Sequence, residues 1–499
     1  MGSTWAAAGG PRRFPYDRVV IGMSRPESAL RTAAGRAGDG VRVLPAPLPA
    51  GERPIDVAER FADLPGLALL ESARPGRTGR WTYLSADPVA VLDEPSPGVD
   101  PFVSARALLR RLSTAPAAGG PPFSGGLVGY LAYDLGRRLE RLPSIATADQ
   151  DLPLIRLALH DWVVAWDRRT GAAWLCGRAL DGDVDRLDAR LDAVRARLTG
   201  SLVATSPGSE VDALVFRSGL DRAAFVDRVE AIRDAIAAGE LYQANLARRL
   251  ETTFRGSPWS LYRRLRTGDP ALFAAFLDLG PSPGPAGGAP RAILSASPEP
   301  FLSVTSDGAV ATDPIKGTRP RGRTRDEDRA LARELLASAK DRAENVMIVD
   351  VLRNDLGRVA RPGSVRVPRL CRLERTAAVQ HLVSTITARL ARDRDPFDLL
   401  QAAFPGGSVT GAPKIRAMEL IEGLEPVRRG PYTGAIGWIG PDGAMATSIA
   451  IRTLVADGRR LTLHVGGGIT WRSDPAAEWD ETVAKAHGPL SAIGGVERP

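Results

Sequence analysis

The chain has 499 residues, 44% of them hydrophobic and 25% charged, which fits a globular protein and excludes a low-hydrophobicity disordered one. The net charge of +8 comes from arginines dispersed among acids, with no basic run carrying interleaved aromatics, so a nucleic-acid surface is not expected. Cys176 and Cys371 form no CxxC pair, no apolar run is long enough to span a membrane, and the N-terminus lacks a signal pattern, so the expected location is cytoplasmic.

The first fifteen residues (MGSTWAAAGGPRRFP) read as poorly ordered. Alternating stretches at 67–72 and 160–166 read as strands in a mixed region that runs to about residue 200. Apolar residues at helical spacing over 183–198 predict a surface helix, and the Ser-, Gly- and Pro-rich residues 200–214 a linker. Residues 221–249 read as a long amphipathic helix followed by entry into a strand. The run GPSPGPAGGAP at 280–290 reads as a surface loop without chemistry. A strand near 292–295, a loop holding Lys316, and one helix over 325–353 follow. Helices and strands alternate without a strict βαβ rhythm, which predicts a mixed α+β fold.

Of 66 basic residues only four are lysines: Lys316, Lys340, Lys414 and Lys485. A guanidinium stays charged, whereas a lysine amine can be made neutral and nucleophilic. Each lysine is therefore a candidate for work that Arg cannot do, although codon bias explains the scarcity equally well. Lys316 stands out, in Asp313-Pro314-Ile315-Lys316-Gly317-Thr318.

Glu478 and Glu481 lie three apart, so a helix puts both on one face, and Glu344 lies within the 325–353 helix. Three carboxylates without a His or Cys cluster suit a hard ion such as Mg²⁺, and the same spacing also serves ordinary surface ion pairs. Gly466-Gly467-Gly468 and the turn from Pro405 to Lys414 offer backbone amides to carboxylates, or are simple tight turns. Arg452 is expected to point from a strand and fork onto a carboxylate. His381 reads either as a pocket residue or as a hydrogen-bonded core histidine.

In order, the blocks LYQANL, SPEP, PIKGTRPRG, DRAENVMIVDVLRNDLGR, HLVS, FPGGSVTGAPK, PYTGAIG, IAIRT and GGGIT…SDPAAEWDETVAKA resemble the chorismate-utilising enzymes. LLESA and GGLVGY, nearer the N-terminus, are similar to the first half of the large subunits of anthranilate and aminodeoxychorismate synthases. The resemblance implies an α+β fold of the anthranilate synthase component I kind, with large antiparallel β-sheets packed as a sandwich and flanked by helices. It implies an N-terminal domain over 16–205, after a disordered 1–15, and a chorismate-binding catalytic domain over 215–499.

Within the family, isochorismate- and salicylate-forming members look to a lysine base where this chain has Gln243, whose amide cannot serve as a base. Anthranilate synthases typically carry PIAGT where this chain has PIKGT, the wording of aminodeoxychorismate synthases. The implied activity is that of an aminodeoxychorismate synthase large subunit, with anthranilate synthase component I and a non-catalytic chorismate- or tryptophan-binding regulator as alternatives. The resemblance implies Lys316 as nucleophile and Glu299 as general acid, with Mg²⁺ held by Glu344, Glu481 and Glu478. Substrate contacts are implied for Gln243, Gly317, Thr318, His381, Thr410, Tyr432, Arg452, Gly466, Gly467, Gly468 and Lys485. Lys340 and Lys414 are expected to play supporting parts. No segment resembles a glutamine amidotransferase, so ammonia is expected from a separate subunit of that kind. Glu71 and Ser72 match a tryptophan-contact motif, while Asp269-Pro270-Ala271-Leu272-Phe273 departs from the Asn-Pro-Ser-Pro-Tyr of feedback-inhibited relatives.

Overall fold

Side chains that alternate between two apolar clusters along fully buried strands set the architecture. In Trp162–Asp167, the side chains of Trp162, Val164 and Trp166 enter one apolar cluster, and those of Val163 and Ala165 enter another. In Gly126–Leu131, Val128 and Tyr130 join that second cluster while Leu127 and Leu131 face a third. The shared cluster therefore lies between two sheets, and the other two lie beneath helices on the outer faces. The result is a helix–sheet–sheet–helix stack in which both sheets are buried on both sides. The computed structural model describes residues 40–498 except 50, 75–78, 201–213, 283–287 and 377–378. The expected disordered 1–15, most of the 200–214 linker and part of the 280–290 loop lie outside the described residues.

One sheet has 13 strands and the other 10. Segments far apart in sequence meet in each of them. Ala68–Glu71 pairs antiparallel with Phe273–Pro281, placing Glu71 opposite Ala274, and Gly126–Leu131 pairs with Ala435–Ile439, placing Tyr130 opposite Ile436. Among the described residues, no helix is long and apolar enough to cross a membrane.

Several sequence expectations are corrected here. The single strand read over 160–166 is the junction of two, Ile155–His160 and Trp162–Asp167, and the chain changes sheet at Asp161. The helix read over 325–353 is two helices, Arg325–Ala337 and Ala339–Gly357. They divide at Ser338, whose extended backbone lets its hydroxyl accept from the Asp341 amide at 3.2 Å and cap the second helix. The expected Lys316 loop is the strand Ile315–Pro320, paired with Val379–Arg389. Arg452 lies between strands with φ 49°, a left-handed turn in a sequence that alternates like a strand.

Candidate active site

Lys316 stands opposite Leu382 on the strand Ile315–Pro320, and the next residue explains its placement. Gly317 has φ 77°, and a Cβ there would come within 2.8 Å of the Asp341 Cβ. Glycine thus allows the strand to lie against the first turn of Ala339–Gly357, one turn before Glu344. The Lys316 ammonium donates to the Ser408 carbonyl at 3.0 Å. Burial pushes its pKa below the usual lysine value, while Glu299 and Glu344 pull it back up. Glu299 is 7% exposed, and burial raises its carboxyl above the usual range against the pull of Lys316, the Ser408 hydroxyl and the Ile315 amide.

The remaining acids come from two helices, of which the second packs on a glycine-rich strand. Asp474 caps Pro475–Ile493 by accepting from the Ala477 amide at 2.8 Å, and this helix carries Glu478, Glu481 and Lys485. A Cβ on Gly467, in the strand Arg460–Thr470, would lie 3.1 Å from Glu478 Oε2, 3.7 Å from Lys485 Nζ and 3.9 Å from Glu481 Oε1. The absent side chain is the space these groups occupy. Lys485 Nζ is 2.7 Å from Glu481 Oε1 and donates to the Gly466 carbonyl at 2.8 Å. Lys340 Nζ lies 4.0 Å from Glu344 Oε1 and 3.9 Å from Glu478 Oε1. Burial raises the carboxyls of Glu344 and Glu478. It would raise Glu481 too, but the Lys485 ammonium overrides it and the Glu481 pKa falls.

Among the described residues, no group of three or more His, Cys, Asp or Glu forms a ready-made metal cage. The carboxylates of Glu344, Glu478 and Glu481 nevertheless suit a hard divalent cation. All their donors are oxygens, Glu344 Oε1 is buried with no hydrogen-bond partner among the described residues, and the Lys340 ammonium stands 4.0 Å from it.

Other expected residues fall around this centre. Gln243 is fully buried, with neither amide atom hydrogen-bonded, and its Nε2 fills the space over Gly468, 2.2 Å from where a Cβ would stand. Thr318 and His381 face each other across the strand pair at 2.9 Å. Burial, with Arg452 and Arg74 nearby, lowers the His381 pKa to about 4, which keeps that ring neutral. Arg452 reaches Asp269 at 3.6 Å, and both line a small cleft with His381 and Ile315. Thr410 is buried and its hydroxyl donates to the Gly406 carbonyl at 3.0 Å, shaping the turn that presents Ser408. Tyr432 stacks on His464, with ring centroids 5.1 Å apart, two residues before Gly466 on the glycine strand.

Glu71 and Ser72 line a separate cavity of about 930 Å³. The Glu71 carboxylate is held by Arg266 at 2.6 and 2.9 Å and by the Tyr262 hydroxyl at 2.8 Å. Leu272 contributes to the walls of both this cavity and the cleft beside Arg452. The sequence reading missed the Ser408 carbonyl, which carries no side-chain signal, and the Asp269 partner of Arg452. It also passed over Lys340 as a neighbour of the acids, although the scarcity of lysine had marked it.

The family described as chorismate binding enzyme matches residues 70–491, which takes in every one of these residues. The chain belongs to the chorismate-binding enzyme family. It is similar to anthranilate synthase component 1 of Streptomyces coelicolor, 42% identical over 442 residues that cover 86% of this chain and 84% of that one. It is also similar to aminodeoxychorismate synthase component 1 of Klebsiella aerogenes, 43% identical over 366 residues that cover 73% and 76%. The crystal structure of anthranilate synthase component I from Streptococcus pneumoniae TIGR4 superposes with a TM-score of 0.72 at 29% identity, covering 83% of this chain and 93% of that one. This chorismate-binding enzyme therefore has the fold of anthranilate synthase component I, and relatives named for two reactions match it at nearly equal identity.

Proposed function

We propose that this chorismate-utilising enzyme is the large subunit of an aminodeoxychorismate synthase, replacing the C4 hydroxyl of chorismate by ammonia with the enolpyruvyl group retained. The observation that carries this reading is the pairing of Lys316 and Glu299. An amine whose pKa is lowered by burial stands beside a carboxyl whose pKa is raised by it. The Lys316 amine adds at ring C2, the two ring double bonds shift, and the C4 hydroxyl leaves as water after Glu299 gives it a proton. Ammonia then adds at C4, the double bonds shift back, and the C2–N bond breaks to release Lys316. One hard substitution becomes two easier ones.

Glu344, Glu481 and Glu478 would hold Mg²⁺, which when bound supplies positive charge to a substrate carboxylate. Lys485, Arg452 and the amides of Gly466 to Gly468 orient the substrate carboxylates. Tyr432, Thr410, Thr318 and His381 bound the ring pocket, and Gln243 closes it without offering a base. Ammonia comes from a separate glutamine amidotransferase subunit. In support of this, both cysteines of the chain are buried, and the Cys371 sulfur sits 3.6 Å from the Asn345 side chain rather than in an open nucleophile turn.

Anthranilate synthase is the second reading, favoured by the longer stretch over which the Streptomyces relative aligns. Product mass from chorismate, Mg²⁺ and ammonium separates the two, because anthranilate has lost pyruvate and aminodeoxychorismate has kept it. Lys316→Ala should abolish most aminodeoxychorismate formation. Unchanged turnover in that variant would remove the nucleophile, and anthranilate as product would replace the assignment.

A further inference from the structure

Of the four lysines, Lys340 is the one for which the reaction above has no use and which makes no hydrogen bond among the described residues. Lys414 is held between Asp355 Oδ2 at 2.8 Å and the Ala403 carbonyl at 2.9 Å. Lys340 instead lies 4.0 Å from Glu344 Oε1 and 3.9 Å from Glu478 Oε1, beyond hydrogen-bond length from both, and its charge also acts on Glu481. These are the three carboxylates assigned above to cation binding. The anions are fixed inside, with the side chains of Glu344 and Glu478 only 15% and 8% exposed, whereas that of Lys340 is 42% exposed. A flexible cation at the mouth thus adds to the charge of Lys316 on Glu344 and of Lys485 on Glu478 in offsetting the anions within. Arginine, the default cation of this chain, would fork across both carboxylates and hold them, while an ammonium on a flexible stem can let go.

We propose that Lys340 is an exchangeable counter-ion: its ammonium neutralises Glu344 and Glu478 until a divalent cation enters, then swings into solvent, and so sets how tightly the free enzyme takes that cation. The inference rests on the carboxylate site of the proposed function. A divalent cation and the Lys340 ammonium repel each other across the Glu344 and Glu478 oxygens they share, so the metal displaces this ammonium, and the cost of displacement lowers its affinity.

The test is calorimetric titration of Mg²⁺ into the full chain without chorismate, repeated with Mn²⁺ by electron paramagnetic resonance. Lys340→Met, which keeps an unbranched stem and removes the charge, should bind about tenfold more tightly than wild type, and Lys340→Arg about tenfold more weakly. Lys340→Met within about twofold of wild type, or both variants shifted in the same direction, overturns the inference while leaving the metal site intact. Absence of Mg²⁺ binding in wild type and both variants removes the cation site of the proposed function itself, and the role of Lys340 with it.

Discussion

At Lys316 and Glu299 one physical cause acts on two groups of opposite charge type. Burial disfavours the ammonium and the carboxylate alike, lowering one pKa and raising the other. The proposed chemistry needs Lys316 neutral and Glu299 protonated. Activity should therefore fall as pH drops through the lowered lysine pKa, and fall again as pH rises through the raised glutamate pKa. The kcat/KM profile should be bell-shaped, with limbs that belong to the pair rather than to either residue. Glu299→Gln should lower kcat by about 100-fold or more and remove the alkaline limb. A variant that keeps both limbs would take the general acid away from this position. Residue identities were legible because ordered motifs name their members. What they touch was not: Ser408 acts on Lys316 through a carbonyl, and every residue has one.

A helix–helix junction at Ser338 and a strand–helix contact at Gly317 place the candidate site, and each can be tested where it is made. The Ser338 cap divides Arg325–Ala337 from Ala339–Gly357, so Ser338→Ala should cost about 1 kcal/mol, read as a lower thermal midpoint. At Gly317 a side chain meets both a left-handed backbone and the Asp341 Cβ. Gly317→Ala should therefore cost about 1–3 kcal/mol and raise the KM for chorismate by moving Lys316, and a variant with wild-type stability and KM would contradict that placement. The helical periodicity over 325–353 was readable, but its break was not, since Ser338 carries none of the Gly or Pro punctuation that ends a helix in sequence. Arg452 misled in the opposite sense. Its neighbours alternate as in a strand, while its own backbone turns to φ 49° and its side chain reaches Asp269.

Across the whole molecule, Arg429 ties together parts that the chain order keeps apart. It is 1% exposed, holds Glu425 at 2.6 and 2.8 Å, and donates to the carbonyls of Asn245 and Val409 at 2.8 and 2.9 Å. Arg429→Ala strands a buried carboxylate and two carbonyls and should cost about 3–5 kcal/mol, seen as a lower urea midpoint with an unchanged slope. The α+β class was readable from local pattern. Strand order was not, because Glu71 finds Ala274 and Leu127 finds Ile439 only once the intervening chain has folded. Those two seams stitch residues before 200 to residues after 214 along both layers, independently of the peptide link. A backbone nicked once between 201 and 213 should consequently travel as one body through gel filtration, its halves parting only in denaturant.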